Sequence, residues 1–286
     1  TRLQGYRRQR IDACSSRTRP HTAFIRIEAR TCRYYRRIDR DTLNQAYAFC
    51  ESVAMLIAYG CQFDLMFDQE TPAVCLIDVH SSHARNVLPN SMTFETAPRL
   101  THHAFIDDFG NIARRFTAPA GPLRLKLHGV YRADGALDRR DPSAKVLPVD
   151  QLPAECLGYL APSRFCESDL LGTLAWESFG HLPRDTALVE AICTYAHGRL
   201  RFDYAHACAT RTASEAHAEQ VGVCRDFAHL AIALCRALNI PARYVNGYMG
   251  DIGVPADPAP MDFNAWFDVY LEGGWYTFDA RHNRRR

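Results

Sequence analysis

Between Gly222 and Leu238 the apolar residues recur at the spacing of a helix, directly after a cysteine. They fall at i, +3, +4, +7, +8 and +11 and are Phe227, Leu230, Ala231, Leu234, Cys235 and Leu238. This spacing predicts an amphipathic helix with one apolar face that begins at about Cys224. Asn239 is suited to end that helix in a left-handed conformation, and Pro241 prevents its return.

Strand signals follow the helix. One strand is expected over Arg243–Tyr248, and two more over Asn264–Leu271 and Trp275–Arg281. Gly273-Gly274, between the last two, is a strong hairpin signal. The Pro- and Gly-rich stretch 251–260 is expected to be a loop. A helix that carries a cysteine, followed by an antiparallel sheet, indicates an α+β domain.

The length of the hairpin turn decides which residues face each other. A three-residue turn places Asn264 directly opposite His282. A turn one residue longer places Asn264 opposite Arg281 instead, with Asp279 diagonal on the same face. Both registers remain open on the sequence, and the second is the better one for a site built on a single face.

Cys224 differs from the other ten cysteines in its setting. A helix N-terminus presents unpaired N–H groups and the positive end of the helix dipole, which favour thiolate over thiol. Gly222 permits a tight backbone turn before the cysteine, and Arg225 adds positive charge. The competing interpretation is that Cys224 is one more small buried apolar residue.

Asp279 is the second candidate site residue. It is expected near the middle of the last strand, where a buried carboxylate needs a partner. Cysteine acyl transfer needs a base beside the sulfur and a third group that orients the base. The alternatives for Asp279 are a salt bridge to Arg281 or an exposed strand position.

The region before the helix has a different texture. Residues 55–150 contain short alternating runs such as Cys61–Asp68 and Leu123–His128, a more apolar run over Val74–Val79, and turn signals between them. This pattern predicts a small, mostly antiparallel β domain. A Pro-punctuated connection over 148–162 marks the boundary, so residues 151–286 form the second domain.

Residues 1–54 lack a sustained helical or strand period. Their arginine clusters predict a solvated, disordered tail or a segment foreign to the natural protein. A basic nucleic-acid-binding arm is the functional alternative, but no stacking aromatics or recognition motif accompany the charge. We therefore expect no nucleic-acid partner.

Composition excludes several other classes. No apolar run approaches the roughly 18–20 residues that span a bilayer, so no membrane partner is expected. The eleven cysteines have wide spacings and no C-x-x-C, which indicates reduced thiols in a cytoplasmic protein rather than a zinc or disulfide framework. Phosphate loops, dinucleotide fingerprints and H-E-x-x-H are absent, and Asp251–Asp262 is too poor in ligands for a calcium loop. No metal or cofactor is expected.

The core segments resemble bacterial transglutaminase-like proteins. The matching runs are residues 222–230 (GVCRDFAHL), 240–248 (IPARYVNGY), 261–267 (MDFNAWF) and 275–283 (WYTFDARHN). Residues 159–166 (YLAPSRFC) resemble the linker of the family, and residues 55–150 resemble its β-rich N-terminal domain. The family usually continues beyond this chain's last residue, so a C-terminally truncated core is expected.

The resemblance implies a papain-like α+β fold with a Cys-His-Asp triad. Cys224 would be the nucleophile and Asp279 the acid that orients the histidine. The histidine of the family falls between Phe263 and Ala265, and this chain has Asn264 there. An amide side chain hydrogen-bonds but does not take up and return a proton at neutral pH.

Three hypotheses follow from Asn264. Another histidine substitutes as base, with His282 on the partner strand the first candidate and His229, farther around the helix, a weaker one. Alternatively, an already ionised Cys224 works slowly without a strong base. In the third hypothesis the domain is a pseudoenzyme that binds a peptide or protein. The leading function is thioester-forming acyl transfer or hydrolysis at an amide of a protein or peptide substrate, with the oligomeric state left open.

Overall fold

The computed structural model describes residues 28–29, 55–249 and 263–284. It has the α+β fold that the sequence predicts. The strands are β1 (Glu28–Ala29), β2 (Met55–Phe67), β3 (Thr71–Cys75), β4 (Thr93–Ala97), β5 (His103–Ile106), β6 (Ile112–Ala118), β7 (Gly121–Ala133), β8 (Arg201–Phe202), β9 (Val221–Gly222), β10 (Ala242–Gly247), β11 (Asn264–Leu271) and β12 (Gly274–Phe278). The α-helices are α1 (Gly172–Phe179), α2 (Thr186–Arg199), α3 (Ala213–Glu219) and α4 (Cys224–Ala237). Short 3-10 helices span Ser81–Asn86, Val149–Gln151, Ala154–Leu160 and Tyr204–His206.

The chain divides into two compact units, the first of which is β-rich. Its described residues are 28–29, 55–136, 247–249 and 263. One antiparallel sheet has the order β1-β2-β7-β4, and the other has the order β3-β6-β5. Strand β7 shows why this region folds as sheet: Leu123, Leu125 and Leu127 are buried, while the alternating residues face outward. Strands β2 and β7 pair along their full length, from Met55–Ala133 to Phe67–Gly121.

The strand predictions in this unit need two corrections. The run Val74–Val79 was expected to be a strand, but β3 ends at Cys75 because its pairing with β6 ends at Arg114. Within the predicted tail, Glu28–Ala29 form a two-residue strand that pairs with Asp64 and Phe63 of β2. The other residues of 1–54, and the predicted loop 251–260, lie outside the described residues.

The second unit is built around α4. Its described residues are 137–246 and 264–284. Helices α1, α2 and α3 and strand β11 all contact α4. The helix begins and ends where the sequence predicts, and Asn239 beyond it has a φ of 58°. The prediction of a single apolar face is wrong, because all ten residues from Asp226 to Cys235 are buried. Small residues such as Ala228 and Ala233 fill the sides that the apolar period left unassigned.

The last two strands form a tight hairpin. Strands β11 and β12 pair from Phe267–Phe278 to Leu271–Gly274, which leaves a two-residue turn. This turn is shorter than both predicted turns, and positive φ angles at Gly273 (85°) and Gly274 (134°) permit it. The observed register, continued beyond the paired residues, aligns position 264 with 281, the second of the two predicted pairings.

Candidate functional site

Cys224 lies at a strand-to-helix junction. Strand β9 pairs in parallel with β8, and α4 begins two residues later with Cys224 as its first residue. Val223 between them is extended, with φ of −111° and ψ of 178°. Cys224 is partly exposed, whereas Cys235 at the far end of the same helix is completely buried. The thiol therefore has the two properties that a nucleophile needs: access to solvent and a helix N-terminus beside it.

Asp226 shapes this junction, and the sequence did not single it out. Its Oδ2 accepts a hydrogen bond of 2.8 Å from the N–H of Val223. Val223 has no side-chain acceptor, so only this half of a capping box is present. A Cβ atom at position 222 would lie 2.5 Å from the same oxygen, which explains the glycine. The signal that was available is an acidic residue at the third position of a predicted helix.

Two arginines surround the carboxylate. Arg211 is 5% exposed, and its Nη1 lies 3.4 Å from Asp226 Oδ2. Arg225 Nη2 lies 3.9 Å from Asp226 Oδ1 and also donates to the carbonyl of Cys208. Burial raises the pKa of Asp226, whereas the Val223 N–H and both arginines lower it, and the net direction is upward. A completely buried carboxylate thus lies two residues from the candidate nucleophile.

Asp279 and His282 form a hydrogen-bonded pair. Asp279 Oδ2 lies 2.8 Å from His282 Nδ1, and Asp279 Oδ1 accepts the backbone N–H of His282 at 3.0 Å. The Asp279 side chain is 2% exposed and that of His282 is 35% exposed. Sequence analysis placed both residues on a strand, but β12 ends at Phe278, so both lie in the turn that follows. Arg281 does not pair with Asp279; its guanidinium lies over the ring of Phe202 at 3.8 Å.

Asn264 occupies the position at which the family resemblance places a histidine. It is the first residue of β11 and is 4% exposed. Its Oδ1 accepts the N–H of Ala265 at 2.9 Å. The structure brings Asp279 together with His282 and places Asn264 at the start of the neighbouring strand. The amide of Asn264 does not transfer protons, so the imidazole of this set of three residues is that of His282.

His229 is unsuited to act as a base. It is 5% exposed, and its ring stacks on Phe165 at 5.4 Å and contacts Tyr244 at 5.1 Å. Burial, with smaller effects from Arg225 and Arg236, lowers the pKa of His229 to about 3. A histidine with this pKa binds a proton too weakly for general-base catalysis near neutral pH.

The described residues hold neither a candidate metal cluster nor a candidate membrane span. Within 55–249 and 263–284, no group of three or more His, Cys, Asp or Glu side chains is arranged to hold a metal ion. No helix of the described residues is both long and apolar enough to cross a bilayer. Eight cysteines of this part of the chain are outside disulfides, Cys224 among them.

The chain is similar to known proteins in family and in fold. Residues 174–280 match the family model described as the transglutaminase-like superfamily. The fold is similar to that of a candidate cysteine protease from Cytophaga hutchinsonii, at 29% identity and a TM-score of 0.66 over 80% of this chain and 78% of that one. The periplasmic domain of TgpA from Pseudomonas aeruginosa is 17% identical, with a TM-score of 0.44 over 82% of this chain and 72% of that one.

A curated relative is an uncharacterized protein of Mycobacterium leprae. It is 36% identical over 64 residues, which make up 22% of this chain and 23% of that protein. The match therefore spans about a quarter of the relative's length. The family match and the Cytophaga structure support a function of the cysteine protease or acyltransferase type at a coarse level. Residues 174–280 therefore match a transglutaminase-like domain, and this match together with the similar Cytophaga structure supports a bacterial transglutaminase-like family for the chain.

Proposed function

We propose that the protein catalyses acyl transfer or hydrolysis at amide bonds of a protein or peptide, with Cys224 as the nucleophile. The observation that supports the proposal is that the same unit holds a partly exposed thiol at the start of α4 and a hydrogen-bonded Asp279–His282 pair after the following hairpin. A helix start favours the thiolate, and an aspartate-held imidazole is the standard partner of such a nucleophile.

The reaction balances without a cofactor. The sulfur of Cys224 attacks the amide carbonyl carbon, the C–N bond breaks, and ammonia or an amine leaves with a proton. A thioester remains on Cys224. Water then releases a carboxylic acid, or an amine releases a new amide, and the thiol is restored in either case. Preorganised N–H groups at the start of α4 are suited to bind the negative oxygen that develops during the attack.

His282 has the role of proton carrier in this proposal, and Asp279 orients it. The hydrogen bond between Asp279 Oδ2 and His282 Nδ1 leaves Nε2 as the nitrogen that exchanges a proton. The one-third exposure of the His282 side chain gives that nitrogen access to solvent or substrate. Asn264 contributes a hydrogen-bonding amide at the position that a histidine occupies in the family.

A second candidate function is binding without catalysis. The buried amide of Asn264 favours it, because this strand position lacks the imidazole that the family uses. In that case the surface around Cys224 would hold a peptide or protein partner, and neither the amide bond nor Cys224 would change. A slow reaction by an ionised Cys224 without a base is the intermediate case.

The test is turnover of amide substrates by a matched set of variants. A library of glutamine-containing peptides is incubated with the protein, with and without a primary amine, and products are read by mass spectrometry. We expect Cys224→Ser to abolish product, and His282→Ala to lower kcat by about 100-fold or more. His181→Ala removes an exposed histidine of the same unit and is the control.

Restoring the histidine of the family separates the two candidate functions. Asn264→His is expected to raise kcat if the remaining groups are catalytic. Peptide capture by the wild type, unchanged in Cys224→Ser and with no product in any variant, would establish the binding function instead.

A further inference from the structure

Asp226 is buried more deeply than a residue that only caps a helix needs to be. Helix α3 of the same unit has an ordinary cap, in which Thr212 and Glu215 exchange hydrogen bonds at the surface. Helix α4 instead uses a carboxylate with no solvent exposure, at the cost of burying a charge. Of the atoms in the described part of the chain, Asp226 Oδ1 is among the few buried polar atoms that make no hydrogen bond.

The surroundings of Asp226 hold the carboxylate in place. Gly222 leaves room for it, since a Cβ atom there would lie 2.6 Å from the Asp226 Cβ as well. Arg211 is fixed from behind by the carbonyl of His206 at 2.6 Å and by Glu219 Oε2 at 2.9 Å from its Nε. The side chain of Arg211 is 6% exposed, so this ion pair lies in a region of low dielectric.

We propose that Asp226 is a positioning residue of the thiol site, which locks the turn that carries Cys224 and whose negative charge is balanced by Arg211. The inference rests on the proposed function in one respect only, that Cys224 is the reactive thiol. Asp226 touches neither substrate nor the reacting atoms; it acts through the backbone at 222–226 and through its charge.

The charges around this turn determine in which direction Asp226 shifts the balance between thiol and thiolate at Cys224. Asp226 disfavours a thiolate nearby, while Arg211 and Arg225 favour it. Burial raises the pKa of Tyr244 in β10, and Cys224 and Asp226 raise it further while Arg225 lowers it, so these three groups lie near one ring. Glu219 faces Arg211 from the far side and reduces its effect. Removal of the Asp226 charge therefore leaves an excess of positive charge beside Cys224.

The test uses Asp226→Asn, which keeps an oxygen for the Val223 N–H and removes the charge. The rate of alkylation of Cys224 by iodoacetamide is followed against pH by mass spectrometry. We expect its midpoint to fall by about one pH unit, because loss of a nearby negative charge favours the thiolate. Asp185→Asn, which alters the carboxylate cap of α2, is the control and leaves the midpoint unchanged.

A second measurement tests the positioning role. Hydrogen exchange of the backbone over 222–226 is expected to remain slow in Asp226→Asn and to become at least about tenfold faster in Asp226→Ala, which loses the acceptor as well. An unchanged alkylation midpoint in Asp226→Asn would overturn the inference, as would equal exchange in the two variants. Neither readout needs amide turnover, so an inactive wild type would defeat the proposed function and leave this inference standing.

Discussion

Each unit buries an aspartate against an arginine, but the two pairs are built differently. In the β-rich unit, Arg114 donates to both carboxylate oxygens of Asp78, at 2.7 and 2.6 Å, and its Nη1 lies 3.1 Å from His102 Nε2. In the second unit, Arg211 approaches one oxygen of Asp226 at 3.4 Å, and the other oxygen makes no hydrogen bond among the described residues. The first pair is bidentate and is called the closed pair. The second leaves one carboxylate oxygen without a hydrogen bond from the described residues and is called the open pair.

The distribution of unsatisfied polar atoms follows the same division. Among the described residues they are the Thr93 hydroxyl in the β-rich unit and three atoms on the first two turns of α4: Arg225 Nε, Asp226 Oδ1 and His229 Nδ1. Buried polar groups are normally paired, so a cluster of exceptions beside one cysteine marks a place where stability has been given up. The closed pair serves the fold. The three unpaired atoms of α4, here called the open cluster, lie around the proposed nucleophile Cys224.

The largest expected effect comes from breaking the closed pair. Asp78→Ala leaves the buried guanidinium of Arg114 without its charge partner and is expected to lower the free energy of unfolding by about 3–5 kcal/mol. Urea unfolding of the full chain measures this loss. Asp64→Ala removes the partner of the half-exposed Arg124 and is the control, with an expected loss below about 1 kcal/mol. Equal losses would mean that the two ion pairs contribute alike.

His229, which is part of the open cluster, is expected to make the stability of the protein depend on pH in the acid range. The folded pKa of His229 is about 3, against 6.5 for an ordinary histidine, so the folded state holds this ring neutral. Its contribution to stability is complete above pH 6.5 and is lost as the pH falls from 6.5 toward 3, because the unfolded chain binds the proton first. The loss at pH 4 is on the order of a few kcal/mol.

His229→Phe keeps the stack on Phe165 and removes the titration. The variant is expected to lose less stability than the wild type between pH 6.5 and pH 4, as followed by urea unfolding at each pH. His181→Ala, at an exposed histidine, should keep the wild-type slope. If the His229 variant also kept that slope, the histidine would not be held neutral by the fold.

The sequence predicted the frame of the site better than its contacts. Cys224 at a helix start and Asn239 in a left-handed conformation both follow from local patterns, and the structure has both. The burial of α4 on all sides did not follow, because alanine carries little apolar signal and is buried wherever neighbours close on it.

Contacts that depend on where a strand ends, or on residues distant in the sequence, could not be predicted from the sequence. The Asp279–His282 bond exists because β12 ends at Phe278 and the chain turns, whereas sequence analysis assumed a longer strand. The Arg211–Asp226 pair joins residues fifteen positions apart through the packing of α3 on α4. A short tertiary contact of this kind leaves no period in the sequence.

The smallest of these effects tests the space beside Asp226. Gly222→Ala introduces a Cβ atom that would lie 2.5 Å from Asp226 Oδ2 and 2.6 Å from Asp226 Cβ. The Cβ of Asp226 is bonded to the backbone, so a side-chain rotation does not move it away. We expect a loss of about 1–3 kcal/mol in the free energy of unfolding and slower alkylation of Cys224. Gly198→Ala in α2 meets no atom within 4 Å and is the matched control, with an expected gain of about 0.5–1 kcal/mol from helix propensity. If the two substitutions changed the free energy of unfolding equally, the space beside Asp226 would not be the reason for glycine at position 222. The Arg211–Asp226 pair would then not shape the backbone turn that carries Cys224.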